Sequence, residues 1–177
     1  MVHEIILAGF GGQGILMAGK LLAYAGMLDG KHVSWLPSYG PEMRGGTANS
    51  SVVISDRPVD SPVLYSCNEL IVMNRPSLDK FENLVEEGGV IVMDSSIVDR
   101  DVKRGDIESF KVPATKMASE MGNMAFANII LLGKLIKERK TVTVDNLEKA
   151  LYEVLPEKKR NLIPMEIKAL KTGMEYI

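Results

Sequence analysis

Residues 4–14 read Glu4-Ile5-Ile6-Leu7-Ala8-Gly9-Phe10-Gly11-Gly12-Gln13-Gly14, an apolar run that stops abruptly on glycine. A short, unbroken apolar run of this kind is the pattern of a strand buried on both faces, as in parallel sheets. The next stretch changes period. Ile15, Ala18, Leu22 and Ala25 recur at three- and four-residue steps, and Met17, Leu21 and Leu28 widen the same apolar stripe, which predicts a helix from Gly14 to Leu28. Strand, glycine turn and helix in succession form the opening unit of an α/β fold.

The pattern repeats along the chain. Asp29-Gly30 is a turn that ends the helix, and His32 to Leu36 predicts a second strand closed by Pro37. Ser38 to Thr47 has no periodicity and predicts a long loop, a length that in compact domains goes with function. Ala48 to Ser55, Glu69 to Asn74, Val90 to Met93 and Ile107 to Val112 read as further strands. Pro76 to Glu87 fits a helix that opens on proline and ends at Gly88-Gly89. Ala114 to Arg139 is mainly helical with a break at Gly122-Asn123. Val144 to Leu155, capped by Thr143, and Leu162 to Tyr176 are two more amphipathic helices. The expected fold is α/β: a mostly parallel sheet, helices on both faces and a helical C-terminal third, in one domain over residues 1–177. In such sheets ligands bind beyond the carboxyl ends of the strands. Phe10 to Gly14, Pro37 to Thr47, Asn74 to Ser77 and Asp94 to Ser96 all fall there.

Composition excludes several function classes. A net charge of -2 offers no basic footprint for nucleic acid. One cysteine, Cys67, forms no intramolecular disulfide and falls short of the ~4 thiolates that hold an iron–sulfur cluster. His3 and His32 stand apart, without a ligand-like cluster around them. The Met1-Val2-His3-Glu4 start lacks a basic segment, and the uncharged run Met121 to Gly133 is shorter than the ~20 residues of a membrane helix. A cytoplasmic protein with no membrane span is expected.

Gly9-Phe10-Gly11-Gly12-Gln13-Gly14 satisfies Gly-x-Gly-x-x-Gly, whose glycines let backbone N–H groups approach a phosphate. A dinucleotide site adds a carboxylate roughly 20 residues on, at the end of the second strand. Here that strand ends Trp35-Leu36-Pro37, and Asp29 precedes it. The dinucleotide reading therefore loses its acid, while a structural turn, another anionic ligand and a partner-facing edge stay open. Arg44 beside Gly45-Gly46 suits a carboxylate or phosphate, or pairs with Glu42 to pin its own loop. Asp94-Ser95-Ser96 lacks a neighbouring base and reads as a strand-end turn. Met117, Met121 and Met124 share helical spacing, the pattern of core packing, with a partner-facing surface as the alternative. No acid–base pair or activated nucleophile stands out, so stand-alone catalysis is not expected.

Together with Pro37-Ser38-Tyr39-Gly40-Pro41-Glu42-Met43-Arg44-Gly45-Gly46, the glycine loop resembles the gamma subunit of 2-oxoacid:ferredoxin oxidoreductases. Ser61-Pro62, Gly88-Gly89, Asp94-Ser95-Ser96, Pro113-Ala114 and Glu120-Met121-Gly122-Asn123 follow in the expected order. The resemblance implies a three-layer Rossmann-like domain within an enzyme that oxidatively decarboxylates a 2-oxo acid to an acyl-CoA and reduces ferredoxin. It implies alpha, beta and delta-type subunits as partners, with thiamine diphosphate and iron–sulfur clusters on them, no cofactor held firmly by this chain, and a homo-oligomer as an option when isolated. Under that resemblance Gly11, Gly12, Gln13, Tyr39 and Arg44 are the candidate contacts to coenzyme A or a neighbouring subunit. The Ser-Tyr-Gly-Pro-Glu-x-Arg-Gly-Gly form resembles 2-oxoglutarate and branched-chain 2-oxo acid enzymes more than pyruvate enzymes. A stand-alone nucleotide-dependent enzyme and a small-molecule binding module are the alternatives. The missing strand-end carboxylate and the absence of Gly-Lys-Ser/Thr count against the first of these.

Overall fold

The computed structural model describes residues 1–39 and 47–177. Its centre is a six-stranded sheet ordered β2-β3-β1-β4-β5-β6, built from β1 (Val2–Phe10), β2 (His32–Tyr39), β3 (Thr47–Ser55), β4 (Cys67–Val72), β5 (Val85–Asp94) and β6 (Glu108–Val112). β1, β4, β5 and β6 pair in parallel, whereas β3 lies antiparallel to both β1 and β2. Only β3 is therefore reversed, and the other five strands bring their carboxyl ends to one edge. The α/β class and the mostly parallel sheet agree with the sequence.

The helices are α1 (Ile15–Leu28), α2 (Arg75–Phe81), α3 (Ala114–Glu120), α4 (Ala127–Arg139), α5 (Val144–Val154) and α6 (Ile163–Glu175). They cover the sheet unequally. One face carries the larger core, where Leu7, Val52, Ile54 and Ile71 meet Leu21, Leu22, Ile130 and Leu170 from the helices. The other face carries a smaller core of Ile6, Ala8, Leu70 and Ile91 under Leu78 and Phe81 of α2. The break at Gly122-Asn123 is present: Gly122 has φ 90°, and the Asn123 side chain accepts the Ala125 N–H. Thr143 caps α5 through its hydroxyl, as its position suggests.

Three boundaries differ from expectation. β2 does not close at Pro37 but runs on to Tyr39, because an edge strand paired only with β3 tolerates a missing N–H. The long loop is shortened accordingly, since β3 already begins at Thr47. The helix expected to reach Glu87 ends at Phe81, and Gly88-Gly89 lies inside β5. There the ladder to β4 shifts register, from Cys67 opposite Val85 to Glu69 opposite Val90. Gly88 takes φ 73°, and a Cβ on Gly89 would press on the Glu86 carbonyl at 2.8 Å. The glycine pair makes a bulge, not a helix end.

The C-terminal third depends on a close helix crossing. A Cβ on Gly173 of α6 would overlap the Ile130 carbonyl of α4, and one on Gly133 would overlap the Leu170 carbonyl. Replacing Gly173→Val should cost about 1–3 kcal/mol or more through overpacking, read as a lower urea midpoint at unchanged m-value. On α6, Glu166 is buried, and its Oε2 has no hydrogen-bond partner among the described residues. Burial pushes its carboxyl up to about 7, while Lys159 pulls the other way. The folded chain thus holds a proton that the unfolded chain releases, so this group costs stability as pH rises from its ordinary value of 4.5 towards about 7. Glu166→Gln should therefore melt above the parent at pH values past that window and converge with it in mild acid. Parallel melting curves across the range would contradict this.

Candidate functional site

The carboxyl edge is organised by the reversed strand. Thr47 of β3 pairs with Phe10 at the end of β1, and the next residue, Ala48, pairs with Tyr39 at the end of β2. The glycine turn and the start of the following loop are therefore held side by side. Between them lies a cleft of about 250 Å³ lined by Phe10, Gly11, Gly12, Gly14 and Tyr39 together with the first turn of α1. Gly14 caps α1 in a left-handed conformation (φ 75°, ψ 18°), and no side chain among the described residues bonds to the helix start. The first-turn N–H groups of a 14-residue helix then carry the positive end of the helix dipole into the cleft, which suits an anion. Tyr39 is 66% exposed, so its ring is available from solvent.

The candidate contacts separate into two kinds. Gly11, Gly12 and Tyr39 line the cleft. Gln13 instead turns its side chain inward: Oε1 accepts the Phe10 N–H at 2.7 Å, and Nε2 donates to the Met73 carbonyl at 3.1 Å. Gln13 shapes the loop instead of facing its ligand. Arg44, with Glu42 and the rest of 40–46, lies outside the described residues. Asn128 enters the site unforeseen, because its Nδ2 donates to the Gln13 carbonyl at 3.1 Å. One signal was available for it, a lone polar residue inside the apolar run from Ala125 to Leu132.

Other polar groups are occupied structurally, Asp94 and Asn74 near this edge and Asp29 at the opposite one, where α1 ends. Asp94 is fully buried and accepts hydrogen bonds from the Ser96 and Thr115 N–H groups and from the Thr115 hydroxyl, which fastens β5 to α3. Asn74 caps α2 by accepting the Ser77 N–H at 2.8 Å. Asp29 accepts from the Thr143 N–H, the Thr143 hydroxyl and the Asn146 amide. Partial burial raises its carboxyl, but those bonds and Lys31 together hold it below its ordinary value. Asp29 thus joins α1 to α5 and is not available to a ribose. Met117 and Met121 pack on the larger core, whereas Met124 is 65% exposed.

Metal and thiol chemistry have little to work with on these elements. Cys67 is buried, and desolvation, with Glu86 next, pushes its thiol up to about 12, which suppresses the thiolate a metal or nucleophilic role needs. Among the described residues no group of three or more His, Cys, Asp or Glu is arranged to hold a metal ion. His3 is buried against Glu69, which also accepts from Thr141 and Arg139. Two larger grooves, of about 600 and 510 Å³, lie along the C-terminal helices and share no residue with the glycine loop. Among the described residues no helix is long and apolar enough to cross a membrane.

Comparison with known proteins finds relatives along nearly the whole chain. The 2-oxoglutarate synthase subunit KorC of Methanocaldococcus jannaschii is 39% identical over 168 residues, covering 92% of this chain and 90% of that protein. The ketoisovalerate oxidoreductase subunit VorA of Methanothermobacter thermautotrophicus is 36% identical over 98% of this chain, which spans only 36% of that longer protein. Among solved structures, the gamma subunit of a keto/oxoacid ferredoxin oxidoreductase from Geobacter sulfurreducens superposes with a TM-score of 0.83 at 31% identity, covering 98% of this chain and 96% of that one. The family model described as pyruvate ferredoxin/flavodoxin oxidoreductase matches residues 4–176, nearly the whole chain and both sides of the cleft. The chain belongs to the pyruvate ferredoxin/flavodoxin oxidoreductase family.

Proposed function

We propose that this chain is the gamma-type subunit of a cytoplasmic, multi-subunit 2-oxoacid:ferredoxin oxidoreductase, and that its glycine-loop cleft receives coenzyme A. The cleft carries the reading. The N-terminus of α1, capped by Gly14 and bonded by no side chain among the described residues, lies beside Gly11, Gly12 and Tyr39, an arrangement suited to a phosphate with an aromatic neighbour. Coenzyme A supplies anionic phosphates that this edge can bind and a thiol that accepts the acyl group. The chain's part is to bind and orient: main-chain N–H groups hold the phosphates, Tyr39 covers one side, and Arg44 is the candidate bidentate partner. Thiamine diphosphate and the iron–sulfur clusters are assigned to alpha, beta and delta-type subunits, which pass electrons to ferredoxin. Burial of Cys67 and the structural engagement of Asp94 support that division of labour. The similarity to KorC and VorA, with the Ser38-Tyr39-Gly40-Pro41-Glu42 form, favours 2-oxoglutarate or a branched-chain 2-oxo acid over pyruvate.

Native purification followed by mass spectrometry should find the chain with thiamine-binding and cysteine-rich subunits, in a complex that reduces a dye when given a 2-oxo acid. In that complex Arg44→Ala and Tyr39→Ala should each raise the KM for coenzyme A about tenfold, the scale of one lost charge-assisted contact. A chain that purifies alone and reduces NAD would overturn the subunit assignment. An unchanged KM in both variants would overturn the coenzyme A site.

A further inference from the structure

We infer that Asn128, the second residue of α4, is a positioning residue that sets the height of the glycine loop over the helix N-terminus, and so the affinity for coenzyme A. The inference rests on the coenzyme A reading above and adds a residue from the opposite side of the loop. Asn128 is 3% exposed, and its neighbours Ala127, Ile129, Ile130, Leu131 and Leu132 are all buried and apolar. Its Oδ1 is buried and has no hydrogen-bond partner among the described residues. A half-satisfied amide in an apolar row is a poor choice for stability alone, which points to a role for the half that is bonded.

That half reaches the loop. Asn128 Nδ2 donates to the Gln13 carbonyl at 3.1 Å and packs so closely on Gly14 that a Cβ there would overlap it. Gln13 in turn accepts the Phe10 N–H and donates to the Met73 carbonyl. The loop is therefore held from three sides: by β1 through Phe10, by the end of β4 through Met73 and by α4 through Asn128. Only the last contact bears directly on the peptide between Gln13 and Gly14, where α1 begins. Without it, the first-turn N–H groups lose their fixed direction relative to Gly11 and Gly12.

The test is steady-state kinetics of the purified complex bearing Asn128→Ala or Asn128→Asp, the second keeping the shape but replacing the donor with an acceptor. Both should raise the KM for coenzyme A about tenfold, the scale of one orienting hydrogen bond. The kcat at saturating coenzyme A should stay within about twofold, since the chemistry lies elsewhere. The melting temperature of Asn128→Ala should move by less than about 4 °C, because its unpartnered oxygen goes too. Ile129→Val, which loosens the same helix without touching the loop, should leave the KM unchanged. An unchanged KM in both Asn128 variants, or a KM that rises equally in Ile129→Val, overturns the inference. The coenzyme A reading stands or falls separately: it survives if Tyr39→Ala and Arg44→Ala still raise the KM, and fails if they do not.

Discussion

Everything at the carboxyl edge depends on β3 running against its neighbours. Its ladders with β1 and β2 are nearly full length, from Val2 opposite Ser55 to Phe10 opposite Thr47, and from His32 opposite Ser55 to Tyr39 opposite Ala48. A strand shared by two partners sets the register of both, and a one-residue slip would turn Val52 and Ile54 away from α1. The same ladders bring Phe10 and Tyr39 to the same level. The cleft is thus a consequence of strand register, with the glycine loop held in place by Gln13 and Asn128.

Much of this architecture was legible because it is periodic. The apolar run before Gly9 and the helical stripe from Ile15 onward specify β1 and α1, and the break at Gly122-Asn123 announces itself by residue type. Strand direction leaves no such trace. Ala48 to Ser55 reads as a strand whichever way it points, so its reversal between β1 and β2 needed the folded chain. The Gly88-Gly89 pair misleads for a related reason. Glycine marks helix ends and strand bulges alike, and only the register shift opposite Cys67 and Glu69 distinguishes them.

The site was legible in part, along the same division. The two glycine-rich segments, through the family they resemble, single out Gly11, Gly12, Gln13, Tyr39 and Arg44, and the fold sets Gly11, Gly12 and Tyr39 around one cleft. Gln13 belongs to the same loop, but its inward turn depends on the Met73 carbonyl, 60 residues away in the chain. Asn128 lies 115 residues from Gln13, and no local pattern ties the two together. Contacts of that range are products of packing, and residues that orient a site instead of touching its ligand are the kind a motif does not reveal.

The chemistry available at this edge follows from what the packing has used up. Asp94 and Asn74, at strand ends on this edge, are committed to fastening α3 and capping α2. The described part of the cleft offers main-chain N–H groups, glycine surface, the Tyr39 ring and the apolar side chains of Phe10, Ile15, Leu16 and Met17. Main-chain donors do not titrate and keep their direction only while the loop keeps its shape. A surface of that kind recognises an anion by geometry and pairs no acid with a base, so it suits a chain that presents a substrate to chemistry housed elsewhere.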